Sequence, residues 1–140
     1  MGTEENKELI RREYEDGLNN RDWSLLEELM DPDYVGHFGA ITVRGFQAYK
    51  EFTNGLLTAF PDLVISLEDL IGEGEKVAVR LAFRGTHQGE FLGVAPTHRQ
   101  VTFSSCDIYH IVDGKLAEEW VELDVAGILQ QIGALSAPKE

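Results

Sequence analysis

The sequence is short of basic residues, of cysteine and of long apolar runs, and each shortage removes a class of function. Only 12 lysines and arginines stand against 25 aspartates and glutamates, a formal net charge of −13 over 140 residues. Phosphate recognition depends on clustered Lys and Arg, so neither nucleic acid nor an anionic membrane surface is an expected partner. The one cysteine, Cys106, can make neither an internal disulfide nor a Cys-based zinc site. No stretch of about 18 apolar residues occurs and no apolar run opens the chain, which predicts a soluble, cytoplasmic protein without a span or a leader. The four histidines, His37, His87, His98 and His110, follow neither His-x-His nor HExxH spacing, so no metal site is expected.

What is there reads as an ordinary globular chain, 43% hydrophobic and 26% charged. The length fits one domain over residues 1–140, and no repeat or low-complexity linker divides it. The first half carries helical periodicity. Leu9, Ile10, Tyr14 and Leu18 line one face over residues 4–18. Asp22 is positioned as the N-cap of a second helix bearing Trp23, Leu26, Leu29 and Met30, which Pro32 ends. A third follows Gly45 with Phe46, Tyr49, Phe52, Leu56 and Phe60 in register. From Leu63 the period becomes two: strands over 63–71 and 76–84, a loop over 85–98, and strands over 99–112 and 115–124 joined by Asp113-Gly114. Val125, Ile128, Leu129 and Ile132 mark a short closing helix. Helices first and an antiparallel meander afterwards define an α+β class, with helices on one face of a curved antiparallel sheet.

The hairpin turn predicts a register. Pairing Val112 with Lys115 and counting back sets Asp107 opposite Trp120. One face then carries Val101, Phe103, Ser105, Asp107, Tyr109 and Ile111 with Leu116, Glu118, Trp120, Glu122 and Asp124. It mixes aromatics with acids, and acids are rarely buried without a partner or a purpose. Two readings stay open: a solvated face, or the wall of a cavity where aromatics grip a ligand and carboxyls move protons. Asp124 is either the N-cap of the last helix or, at an apolar wall, a carboxyl with a raised pKa suited to acid–base work. At ~3.3 Å per residue Asp124 lies roughly 13 Å from Asp107, too far for a shared-proton dyad. Glu122 is the diagonal neighbour of Asp107. His37 borders the predicted pocket mouth, and Tyr14 and Tyr49 either pack in the core or line the pocket. Cys106, with Thr102, Ser104 and Ile108, falls on the opposite face.

Several segments resemble the SnoaL-like polyketide cyclase family. They are Glu118 to Asp124 running into Gly127 to Gly133, Arg84 to Gly93 followed by Ala95-Pro96-Thr97, Asp31 to Val35, and Ile111 to Lys115. The resemblance implies a nuclear transport factor 2-like fold, a cone-shaped α+β barrel whose curved sheet wraps a deep pocket with its helices. It also implies intramolecular aldol closure of a polyketide ester or related carbonyl compound without metal or organic cofactor. The aspartate before the last helix, here Asp124, would be the general acid–base. Asp107, Trp120, Glu122, Ser105, Phe103, Tyr109, Tyr14 and His37 would hold a small hydrophobic carbonyl-containing ligand. The best-studied cyclases carry a histidine where this chain has Asp107 and a tryptophan where it has Glu122, so the pocket expected here is more acidic. The fold commonly pairs through its outer sheet face, which implies a homodimer. A non-catalytic binding module using the same pocket is the alternative. The Asp-Arg-Asp set of a limonene-type epoxide hydrolase is missing, because Leu81 and Ala82 follow Arg80.

Overall fold

A computed structural model describes residues 2–136. The chain opens with α1 (Thr3–Arg11), which runs without a break into a π-helical stretch, Arg12–Leu18. The wider turn buries neighbours in sequence: Glu13 with Tyr14, and Gly17 with Leu18. Such stretches cost hydrogen-bond quality and concentrate at functional sites. Asp22 caps α2 (Trp23–Leu29) by accepting from the Leu25 amide, as its position predicts. α3 (Gly45–Ala59) and the closing α4 (Val125–Gln131) also lie where the periodicity puts them.

Six strands form one sheet: β1 (Met30–Phe38), β2 (Ile41–Arg44), β3 (Val64–Glu73), β4 (Lys76–Thr86), β5 (Gln100–Val112) and β6 (Lys115–Leu123). Their spatial order is β2-β1-β6-β5-β4-β3. Three differences from the sequence expectation follow. First, the sheet ends at β2 and β3 and does not close into a barrel. Second, β1 and β2 occupy part of the half read as helical. In β1, Pro32 and a register shift between Met30 and Val35 interrupt the ladder, and Gly36 fills an inward position, so no clean alternation shows. Third, the sheet is not wholly antiparallel, because β1 pairs parallel to β6.

The β5–β6 hairpin fixes the site. Asp113-Gly114 makes the turn with both φ angles positive, and Val112 pairs with Lys115 and Ile111 with Leu116 as predicted. One step further the register slips. His110 pairs with Glu118, leaving Ala117 as an extra residue in β6, while the Ile111 amide turns to the Glu75 carbonyl at 2.8 Å. A bulge of one residue inverts the faces of everything beyond it. Glu119, Val121 and Leu123 therefore share the inner face with Ser105, Asp107 and Tyr109, while Glu118, Trp120 and Glu122 follow the outward register.

The core lies between the inner sheet face and the helices. Phe83 stacks on Phe103 with ring centroids 4.8 Å apart, and Phe60 packs against Phe91 and Phe103. Among the described residues no helix is long and apolar enough to cross a membrane.

Candidate active site

Between the helices and the inner face of the sheet lies a cavity of about 550 Å³. Its walls are apolar, from Phe38, Phe52, Leu56, Phe83 and Phe91 among others. Its polar groups converge at one end. The π-helical turn contributes Glu13 and Tyr14, β5 contributes Ser105 and Asp107, β6 contributes Glu119, and α3 contributes Tyr49. The charged residues of the lining are all acids (Glu13, Glu90, Asp107, Glu119 and Glu122), and no lysine, arginine or histidine among the described residues faces it.

Glu13, Asp107 and Glu119 are 1%, 3% and 2% exposed, three carboxyls withdrawn from water without a basic partner. Their environments differ. Tyr34 curls over Gly36, the cross-strand neighbour of Glu119, and its hydroxyl donates to Glu119 Oε1. Burial raises the pKa of Glu119, and the hydroxyls of Tyr34 and Tyr109 oppose the rise by favouring its anion. Asp107 is pushed up to about 8, first by burial and then by the charge of Glu119, against the weaker pull of the Ser105 and Tyr14 hydroxyls. Glu13 rises well above the usual carboxylate range, again through burial and then Glu119, with Tyr109 acting in the opposite sense. All three carboxyls are thus raised by burial; two tyrosine hydroxyls oppose the rise at Glu119, and the charge of Glu119 adds to the rise at the other two.

Hydrogen bonding joins the group. Tyr14 donates to Asp107 Oδ2 at 3.2 Å, the Tyr14 and Tyr109 hydroxyls bond to each other, and Tyr109 bonds Glu13 Oε2 at 3.3 Å. Asp107 Oδ1, Glu13 Oε1 and the Tyr49 hydroxyl have no hydrogen-bond partner among the described residues. Buried polar atoms left without a partner cost free energy in the folded chain. Among the described residues no group of histidines, cysteines and acids converges in a metal-holding arrangement.

The residues singled out in the sequence fall into two sets. Ser105, Asp107 and Tyr14 line the cavity, Tyr109 underlies it, and Phe103 faces the same side within the aromatic core. The bulge moves the others. Trp120 lies on the outer face, its ring stacked on His37 at 5.5 Å and 16°, with the Lys76 amine 5.6 Å from its centroid. His37 Nε2 meets Glu118 Oε2 at 2.6 Å on that face, away from the cavity. Glu122 is exposed and reaches only the rim, where β6 ends. Asp124 is exposed, caps α4 by accepting from the Gly127 amide at 2.9 Å, and is not among the cavity residues. His87 is fully buried, its Nδ1 accepting from the Thr97 amide at 3.2 Å, and so ties the loop over 87–99 together. Two site residues escaped the sequence reading. Glu119 sat on the wrong face by one residue, and Glu13, at i+4 from Leu9 and i+3 from Ile10, lies on the same helical stripe as Tyr14 but is an acid rather than an apolar residue.

Fold and site together define an α+β pocket protein with an acid–base cluster on an apolar cavity. Residues 8–132 match the profile of the SnoaL-like polyketide cyclase family, and the chain belongs to that family. It is 29% identical over 111 residues to the aklanonic acid methyl ester cyclase DauD of Streptomyces sp. (strain C5), spanning 78% of this chain and 67% of DauD. Among solved structures it is similar to AclR of Streptomyces galilaeus, a candidate hydroxylase, at 30% identity and a TM-score of 0.87, covering 99% of this chain and 87% of AclR. It is also similar to IdmH of Streptomyces antibioticus, a candidate polyketide cyclase, at 31% identity and a TM-score of 0.82, covering 91% and 98%. The architecture is nuclear transport factor 2-like, with the sheet open.

Proposed function

We propose that the cavity carries out a cofactor-free, intramolecular aldol-type ring closure of a small hydrophobic carbonyl compound. Glu119 is the base that removes a proton α to a carbonyl. The resulting enolate carbon attacks a second carbonyl, and the new alkoxide oxygen takes the proton of Asp107. Tyr14 donates to Asp107 Oδ2 and holds that carboxyl in place. The supporting observation is the convergence of Glu119 and Asp107, two buried carboxyls with raised pKa, on one apolar cavity whose lining holds no basic residue among the described residues, a setting suited to proton transfer. The acid–base duty that the resemblance assigns to Asp124 passes in this reading to Glu119 and Asp107, and Asp124 serves as a helix cap.

The test is turnover of aklanonic acid methyl ester, the compound named in the relative DauD, followed by chromatography and mass. Glu119→Gln and Asp107→Asn are each expected to lose about 10²–10⁴-fold in rate, the usual share of a general acid or base. Asp124→Asn is expected to keep its rate. Loss of turnover in Asp124→Asn alone would return the chemistry to the cap position. The likeness to AclR supports a second reading, in which dioxygen adds to the carbanion made by the same base and an external two-electron reductant takes the resulting hydroperoxide to the alcohol and water. An aldol product has the mass of its substrate, whereas hydroxylation adds an oxygen. Binding without any conversion would leave a ligand-holding module.

We also propose that the outer sheet face pairs two copies of the chain, since Ile108 is 47% exposed there beside Cys106. Light scattering in solution decides it: a monomeric mass rejects the pairing.

A further inference from the structure

Glu13, Tyr109, Tyr14 and Asp107 form one unbroken line of hydrogen-bonding groups along the polar end of the cavity, with a carboxyl at each end. Tyr109 bonds Glu13 Oε2 at 3.3 Å, Tyr109 and Tyr14 bond through their hydroxyls, and Tyr14 meets Asp107 Oδ2 at 3.2 Å. None of the four is more than 4% exposed. Three bonds need three protons, and the two tyrosines supply two. The third must sit on a carboxyl at one end. If Glu13 holds it, Glu13 donates to Tyr109, Tyr109 to Tyr14, and Tyr14 to Asp107. If Asp107 holds it, every bond reverses. The two arrangements interconvert by one proton crossing each bond, and no hydroxyl is left bare at the end.

We propose that Glu13 is the far terminal of an internal proton wire that recharges Asp107 after it has given its proton away. The inference rests on Asp107 acting as the acid of the ring closure. In that reaction Glu119 gains a proton from carbon and Asp107 loses one to oxygen. Glu13 passes its proton to Tyr109, Tyr109 to Tyr14, and Tyr14 to Asp107, leaving Glu13 as the anion. Glu119 then returns its proton through Tyr109, its cross-strand partner in the register, to Glu13. Protons balance within the site, and none is exchanged with water that Asp107 scarcely touches. Geometry gives Glu13 this place, because Glu13 and Tyr14 are both buried on the helix side that faces the sheet and both reach the Tyr109 hydroxyl. The other acids facing the ends of the wire are Glu119, opposite both, and Glu122, near Asp107. Both favour keeping the shared proton inside.

The wire is tested by carbon-13 NMR of protein labelled at the Asp and Glu side-chain carboxyls, titrated between about pH 5 and pH 10. In the native protein the Asp107 and Glu13 signals are expected to move together in a common step, since the wire spreads the loss of one proton over both carboxyls. Tyr14→Phe keeps both carboxyls and removes one hydroxyl, and Tyr109→Phe breaks the line at a different bond. Each is expected to separate the two midpoints by about one pH unit or more, with the thermal melt confirming a folded chain. A common step that survives both substitutions means coupling through space and overturns the wire. Two unrelated steps in the native protein overturn it as well. The titration uses no substrate. A wire-dependent common step in a protein whose Glu119→Gln variant turns over normally therefore refutes the ring-closure reading and leaves the wire standing.

Discussion

Replacing Asp107 by asparagine should make the protein more stable while it destroys the acid, and the size of the gain follows from the site. The folded-state pKa of about 8 compares with about 3.9 in an unfolded chain. Between those values the folded state holds a proton that the unfolded state has released. Stability contributed by Asp107 is therefore complete below about pH 4 and is lost as pH rises toward 8. At about 1.4 kcal/mol per pH unit the loss reaches a ceiling of about 4 kcal/mol by pH 7, and local relaxation brings it to the order of 2 kcal/mol. Asparagine has nearly the same shape, can still accept from Tyr14 through its carbonyl, and does not titrate. Asp107→Asn should thus raise the melting temperature by about 5–8 °C at pH 7.5 and leave it almost unchanged at pH 4.5. Melts of both proteins followed by circular dichroism at four pH values give the comparison directly. A variant that melts lower at pH 7.5, or a difference that does not grow with pH, would refute the account of Asp107 as a buried, proton-holding acid.

Three other perturbations address the supports of the site. Gly36→Ala places a methyl against the Tyr34 hydroxyl and 2.7 Å from the Phe38 ring, so Tyr34 should leave Glu119 at a cost of about 1–3 kcal/mol, visible as a lower denaturant midpoint. Asp124→Ala removes the cap on Gly127 and should cost about 1 kcal/mol in the same assay, with ligand affinity of the cavity unchanged. Deletion of Ala117 removes the extra residue and leaves Leu116 opposite Ile111, Glu118 opposite His110 and Glu119 opposite Tyr109 in a regular ladder, so Glu119 should stay inward and cooperative melting should persist; loss of the cooperative melt would refute this reading of the bulge.

How much could be read from residues alone depends on whether a signal is local. Asp22 caps its helix and Asp113-Gly114 makes its turn because both are decided within four residues. The inward row of β5 is legible for the same reason, since its alternation is strict from Val101 to Ile111. The face of β6 is not. Correct pairing at Lys115 and Leu116 says nothing about the slip beyond, which begins one residue later at Ala117. One residue then exchanges Trp120 for Glu119 at the cavity. Glu13 is hidden by a different cause: it stands on the face of Leu9, Ile10 and Tyr14, but an acid does not register in a pattern traced through apolar residues. β1 stays unread because Gly36 occupies an inward position where the pattern calls for an apolar side chain, leaving room there for Tyr34.

The parallel pairing of β1 with β6 also constrains the order of assembly. Val35 lies beside Glu118, so the seam down the middle of the sheet joins stretches from opposite ends of the chain. Contacts of that span carry a large loop-closure cost and form late. During synthesis β3, β4 and β5 can zip in order, while β1 and β2 pair only with each other until β6 appears. Glu13 and Tyr14 arrive from one end and Glu119 from the other. The acid cluster is therefore completed by the same late event that seats the seam, and a chain lacking β6 would keep Glu13 and Asp107 without Glu119, the carboxyl assigned as base.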